Sequence, residues 1–125
     1  MRPEDRIHIS ICDFLRLQYP DVIFTSESSG MRLTIGQATK LARMRSGSKL
    51  ADIWIPEPSG PYHGLFLEVK AETPYKKDGE LKKSDHLKAQ SKMLERLVKK
   101  GYQAMFIWSV EQGVVEIRKY MKLKK

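Results

Sequence analysis

The stretch that decides the fold is ADIWIPEPSGPYHGLFLEVK, residues 51–70. It contains two apolar runs, residues 52–55 and 64–70, on either side of the turn-forming segment 56–61. This pattern predicts two strands that pair as an antiparallel hairpin with a connection longer than the tightest types. Asp52 opens the first strand and Glu68 lies near the end of the second, so the pairing puts two acids on adjacent strands.

Two acids in apolar strands need a physical reason, because acids are unfavourable in strands and rarely buried without a partner. A hard divalent cation supplies one, since Mg²⁺ and Mn²⁺ prefer carboxylate and carbonyl oxygens. Glu68 and Lys70 point to the same face of the strand, and Leu67 and Val69 point into the core. We therefore expect Asp52, Glu68 and the backbone carbonyl of Val69 to hold a metal, with Lys70 orienting its water or stabilising developing charge. The alternative is a cross-strand salt bridge on a solvated face.

The rest of the chain predicts a single domain around this hairpin. Apolar stripes and capping residues indicate helices at 3–18, 35–44 and 84–100, and a final helix from Ser109 that ends in the basic tail 119–125. The inward residues are expected to be Ala38, Leu41 and Ala42 on the second helix and Leu87, Gln90, Leu94, Leu97 and Val98 on the third. Short apolar runs at 22–24 and 103–108 predict two further strands. The order αβαββαβα is typical of an α/β domain with one central mixed sheet flanked by helices. The polar, lysine-rich segment 71–83 is expected to be an exposed loop.

Composition limits the kinds of partner. Lys and Arg number 23 against 15 Asp and Glu, a net charge of +8, which favours nucleic acid, although charge alone could serve only solubility. Cys12 is the single cysteine, so an internal disulfide and a Cys-rich zinc site are excluded. No apolar run reaches the roughly 20 residues that span a bilayer, and the N-terminus lacks the apolar region of a signal peptide. We expect a cytoplasmic or nucleoplasmic protein with no membrane partner.

Two further polar residues interrupt apolar stripes. Glu4 lies at the head of the stripe of the first helix, where it could serve the site or merely match the helix dipole. Gln90 interrupts the stripe of the long third helix, which is uncommon unless its amide has a buried partner. His8 follows Glu4 by one turn and is interpreted as a surface histidine, with an assisting role in the site as the alternative. Three aromatic residues are expected in the core: Trp54, Phe66 and Trp108.

The segment Ala51-Asp52-Ile53, followed by Leu67-Glu68-Val69-Lys70, resembles the PD-(D/E)XK nuclease motif and, more narrowly, the virus-type replication-repair nuclease (VRR-NUC) domain. Glu4, Gln90 and the pair Gly101-Tyr102 match further positions of that pattern. The resemblance implies a restriction-endonuclease-like core and an Mg²⁺- or Mn²⁺-dependent endodeoxyribonuclease. It makes Glu4, Asp52, Glu68, Lys70 and Gln90 the catalytic set, with Glu4 a candidate for a second metal or for the outer coordination shell.

The resemblance also implies partners. Stand-alone members of that family are commonly homodimers that act on branched DNA such as Holliday junctions, in the cytoplasm of a bacterium or a virus-infected cell. Ser28, Ser29 and Glu27 lie in the loop where this fold often approaches the phosphate backbone. The chain departs from the pattern in having Lys49-Leu50-Ala51 where Gly-x-Pro is usual, and in a longer lysine-rich loop. Both departures bear on substrate choice.

Basic residues predicted to bind DNA fall into two groups, one on the second helix and one in the lysine-rich loop: Lys40, Arg43, Arg45, Lys76, Lys77, Lys82 and Lys83. The alternative for the loop is a solvated segment with no DNA contact. For the whole chain, the alternatives are a catalytically inactive nuclease fold that only binds DNA, and an RNA-binding domain. The last is weakened by the absence of an RRM-type aromatic signature and of a GxxG loop.

Overall fold

A computed structural model describes residues 1–27 and 32–124. The elements, in chain order, are α1 (Pro3–Gln18), β1 (Thr25–Ser26), α2 (Ile35–Arg43), β2 (Ile53–Ile55), β3 (Leu65–Val69), α3 (Asp85–Lys99), β4 (Gln103–Ile107) and α4 (Val110–Lys122). The α/β class and the order of helices and strands are as predicted. Within the described ranges, none of the helices combines the length and the apolar character that a membrane crossing requires.

The four strands form one mixed sheet in the order β1-β2-β3-β4. The pair β2–β3 is antiparallel, as the hairpin prediction required, β1–β2 is also antiparallel, and β3–β4 is parallel. Ile53 pairs with Leu67, so Asp52 and Glu68 stand one residue further along at the same edge of the sheet. The amide of Asp52 continues the ladder by donating to the carbonyl of Leu67 at 3.1 Å.

One face of the sheet is covered by α1 and α4. Ile11 and Leu15 of α1 and Ile117 of α4 are fully buried against side chains of β2, β3 and β4. Gly113 lets the two helices approach closely, because a Cβ at that position would lie 2.4 Å from a methyl carbon of Ile11. This is the larger of the two apolar clusters, and it fixes the orientation of β2 and β3.

The opposite face is covered by α3. Met93, Leu94 and Leu97 pack against Phe66 of β3 and Phe106 of β4. The hydroxyl of Ser84 caps the helix by accepting from the amide of Leu87, as predicted. Gly101 ends it in the left-handed region, at φ 99°, which side chains rarely adopt.

The structure corrects the predicted strand at 22–24. Val22 and Phe24 are half-buried and pack on the core without pairing, and the strand is Thr25–Ser26 instead. An apolar run can be buried by packing alone, whereas a strand forms only where the chain lies beside another strand. That place is set by β2, which pairs with residues 25 and 26.

Three other predictions of burial are wrong. Trp54 is 37% exposed, because α3 packs over β3 and β4 and does not reach the β2 side of that face. Helix α2 was expected to turn Ala38, Leu41 and Ala42 inward, yet none of its residues is buried. It is held locally by a capping box, in which Thr34 and Gln37 exchange side-chain to backbone hydrogen bonds. Val98 is also exposed, and Met93 takes the buried place on α3.

Candidate active site

Asp52 and Glu68 are both buried at one edge of the sheet, each only 4% exposed. Oδ2 of Asp52 accepts a hydrogen bond from the backbone amide of Val69 at 2.7 Å, and this bond fixes the carboxylate against β3. In an antiparallel ladder the amide and carbonyl of a residue face the same neighbouring strand. The Val69 carbonyl therefore faces the side on which Asp52 lies. Burial of both acids rules out a salt bridge on a solvated face.

Gln90 joins Glu68 to Lys70. Its Nε2 donates to Oε2 of Glu68 at 2.8 Å, and its Oε1 accepts from Nζ of Lys70 at 3.0 Å. A single amide from α3 thus holds the Glu68 carboxylate of β3 and the ammonium of Lys70, just after β3, in fixed relation. The buried partner that the sequence predicted for Gln90 is Glu68.

Lys49 is a member of the site that the sequence prediction missed. Its Nζ forms an ion pair with Oδ1 of Asp52 and lies 4.0 Å from Oε2 of Glu68. The residue comes from the irregular segment between α2 and β2, so no periodicity pointed to it. The only signal was a basic residue three positions before an acid.

The pKa of the Glu68 carboxyl is raised to about 8, chiefly by burial and then by the negative charge of Asp52. The positive charges of Lys49 and Lys70 oppose this shift without cancelling it. The ionised form of such a carboxyl group is disfavoured unless a stronger cation lies beside it. The site is therefore short of positive charge.

The N-terminal part of α1 lies near this edge of the sheet. Nε2 of His8 is hydrogen-bonded to Oγ of Ser26 at 2.9 Å. Burial lowers the pKa of this histidine, and the charge of Asp52 opposes the shift. His8 is thus half-buried, not the surface histidine that was expected. Glu4 lies one turn earlier on the same side of the helix, is 40% exposed at its side chain, and lies 3.9 Å from the guanidinium of Arg2.

The donor set fits a hard divalent cation. Two buried carboxylates on neighbouring strands, with the Val69 carbonyl on the side of β3 where Asp52 lies, offer the oxygens that Mg²⁺ and Mn²⁺ prefer. Across residues 1–27 and 32–124, no group of three or more His, Cys, Asp or Glu side chains is clustered to hold a metal by itself. Mg²⁺ usually keeps several water ligands. A cavity of about 90 Å³ borders Glu68, Lys49 and Gln90 and has room for such waters.

The basic residues predicted to contact DNA differ in whether they already have acidic partners. Lys40 and Arg43 are exposed on α2, and Lys77 and Lys83 are exposed in the lysine-rich loop. Others have acidic partners within 4 Å, in the pairs Lys76–Glu80, Lys82–Glu72 and Arg45–Glu27. Ser28 and Ser29 lie outside the described residues. The loop itself is folded by an isolated bridge between Tyr75 and Leu81, and it leaves β3 at the same edge as the acids.

The fold and the site together define an α/β domain with an Asp, a Glu-x-Lys and a bridging Gln at one edge of its sheet. Among solved structures, the chain is similar to one described as a "VRR_NUC domain protein". The likeness covers 100% of this chain and 93% of that one, with a TM-score of 0.69 and 21% sequence identity. The predicted VRR-NUC fold is thereby confirmed. No protein-family model matches the chain, and no curated protein does.

Proposed function

We propose that this chain is an Mg²⁺- or Mn²⁺-dependent endodeoxyribonuclease. The observation that carries the proposal is the buried pair Asp52 and Glu68, tied through Gln90 to the ammonium of Lys70. A structural sheet gains nothing from two acids in its interior, whereas a metal-dependent phosphodiesterase uses such a pair to hold its cation. The fold shared with a VRR_NUC domain protein favours this function over other uses of an acid pair.

The chemistry follows from charge. Asp52 and Glu68, with the Val69 carbonyl, would hold the metal, which when bound neutralises phosphate charge and lowers the pKa of a water ligand. The Val69 amide holds Asp52 in place, and Gln90 keeps Lys70 beside Glu68. The Lys70 ammonium then orients the attacking water or stabilises the charge that gathers on the phosphate. Glu4 is proposed for the outer coordination shell or a second metal.

The proposed substrate is DNA, with branched forms such as four-way junctions preferred. The net charge of +8 suits a polyanion, and the exposed lysines of the loop lie at the edge that carries the acids. A symmetric junction requires two cuts, so we propose a homodimer with one site in each subunit. A role in DNA repair in the cytoplasm fits a substrate of this kind and a single free cysteine.

One observation favours a second candidate, a DNA-binding module without catalysis. The Lys49 ammonium already neutralises part of the acid pair, so the fold could hold DNA without recruiting a metal. Such a protein would bind DNA equally with and without divalent cations and would never cut it.

The deciding experiment compares cleavage of a four-way junction, a flap and a plain duplex, with Mg²⁺, with Mn²⁺ and with EDTA. We expect metal-dependent cutting, fastest on the junction. Asp52→Asn should abolish it, whereas the matched control Asp13→Asn, an exposed acid on α1, should cut like the wild type. Binding without cleavage under every metal condition would replace the nuclease proposal with the binding module. Equal rates on all three substrates would remove only the branched-DNA preference.

A further inference from the structure

The Lys49 ammonium occupies the position that a metal bound by Asp52 and Glu68 would take, so the two cations exclude each other. Its ammonium is paired with Oδ1 of Asp52 and lies 4.0 Å from Oε2 of Glu68, so it stands between the two proposed ligands. Oδ2 of Asp52 already accepts from the Val69 amide. A metal bound to Oδ1 of Asp52 would lie about 2.0–2.1 Å from that oxygen, which is the oxygen with which the Lys49 ammonium is paired.

The Lys49 side chain is held weakly enough to move out of the site. It is 23% exposed, and it comes from an irregular segment, 44–52, instead of a helix or strand that would hold its backbone. Residues of such segments move with little loss of packing or of backbone hydrogen bonding. Lys70, in contrast, directly follows β3 and is held by Gln90 and by a 2.8 Å backbone hydrogen bond to Ile107. The two lysines of the site are therefore not equivalent.

We propose that Lys49 is an internal cation that competes with the metal. In the metal-free protein it holds Asp52 and Glu68 together, and the metal binds by displacing its ammonium from the site. The inference rests on the metal dependence proposed above. Its consequence is a metal affinity lower than the two carboxylates alone would give, together with a movement of the Lys49 side chain on every binding event.

The first test is the affinity for Mg²⁺ alone, measured by calorimetry at pH 8.5 so that protons compete little for the carboxylates. Lys49→Met removes the charge and keeps most of the length of the side chain, and we expect it to bind Mg²⁺ about tenfold more tightly or better. Lys49→Arg keeps the charge and should stay near the wild type. The matched control Lys92→Met changes the net charge equally at an exposed position of α3 and should leave the affinity within about twofold.

The second test observes displacement directly. The ammonium signal of Lys49 in nitrogen-15 NMR, assigned by its loss in Lys49→Met, should be protected in EDTA and should broaden or vanish at saturating Mg²⁺, whereas that of Lys70 persists. An unchanged Lys49 signal in a protein that binds Mg²⁺, or equal affinities of wild type and Lys49→Met, overturns the competition and leaves the nuclease proposal standing. If neither protein binds Mg²⁺, both proposals fail together.

Discussion

The substitution Glu68→Gln measures how much the buried carboxyl of Glu68 lowers the unfolding free energy of the metal-free protein. The carboxyl pKa is about 8 in the folded chain, against about 4.3–4.5 in an unfolded one. Between these values the folded state holds a proton that the unfolded state has lost. The folded pKa is raised, so the stabilisation is complete below about pH 4.5 and is lost as the pH rises through about 8. Glutamine does not titrate and lacks this dependence.

The size of the effect follows from the two pKa values. Integrating the linkage relation from pH 5.5 to 8.5 gives a loss of about 3 kcal/mol in the unfolding free energy of the wild type relative to Glu68→Gln. The amide that replaces the carboxyl can still accept from Gln90 through its oxygen, so the two proteins should be of similar stability at pH 5.5. At pH 8.5 the variant should be the more stable by roughly that amount.

The assay is urea unfolding in EDTA at half-unit pH steps, with wild type and variant measured side by side so that the other titrating groups cancel. Glu95→Gln, which changes an exposed acid on α3, is the control and should follow the pH dependence of the wild type. A stability difference that stays constant from pH 5.5 to 8.5, or that grows in favour of the wild type, would refute the reasoning. Saturating Mg²⁺ should reduce the difference at high pH, because the ionised carboxylate then has a cation beside it.

The remaining predictions concern cleavage and DNA binding. Asp52→Asn and Lys70→Ala should each lower single-turnover cleavage by about a thousandfold or more, since metal and charge terms are worth several kcal/mol in the transition state; near-normal rates would take that residue out of the catalytic set. Gln90→Ala should lower the rate by roughly ten- to a hundredfold through misplacement of Lys70, and an unchanged rate would make the bridge dispensable. Replacing four loop lysines by Gln should flatten the slope of log binding constant against log salt by roughly two to four units, and an unaltered slope would move the DNA footprint to α2. The four are Lys76, Lys77, Lys82 and Lys83.

The fold was largely predictable because its strongest signals are local. The apolar runs at 53–55 and 65–69 and the turn-forming residues at 56–61 define the β2–β3 hairpin. How far the helices cover each face of the sheet was not predictable, since nothing in the sequence of β2 indicates that α3 leaves Trp54 uncovered. The same holds for β1, whose position depends on a pairing partner and not on its own apolar content.

Among the residues of the candidate site, too, some could be predicted from the sequence and others could not. Glu68 and Lys70 share a face because they are two residues apart in a strand, and Asp52 joins them through the hairpin, so all three were accessible to sequence reasoning. Gln90 was accessible because a polar residue on a buried stripe demands a partner. Lys49 was not, because a segment without periodicity carries no information about the direction in which its side chains point. The pairing of Arg45 with Glu27, across residues 18 apart, was hidden for that reason as well.

A buried acid pair lowers the stability of the fold, and the polar contacts around Asp52 and Glu68 bear on why the chain keeps the pair. Exchanging Asp52 and Glu68 for apolar side chains of similar size would relieve the desolvation that raises the pKa of Glu68. The chain instead surrounds the pair with polar partners that do not neutralise it fully, the Val69 amide, the Gln90 amide and two lysines. The positive charges of Lys49 and Lys70 oppose the raised pKa of Glu68 without cancelling it. That remaining shortfall of positive charge is what the proposed divalent cation would supply.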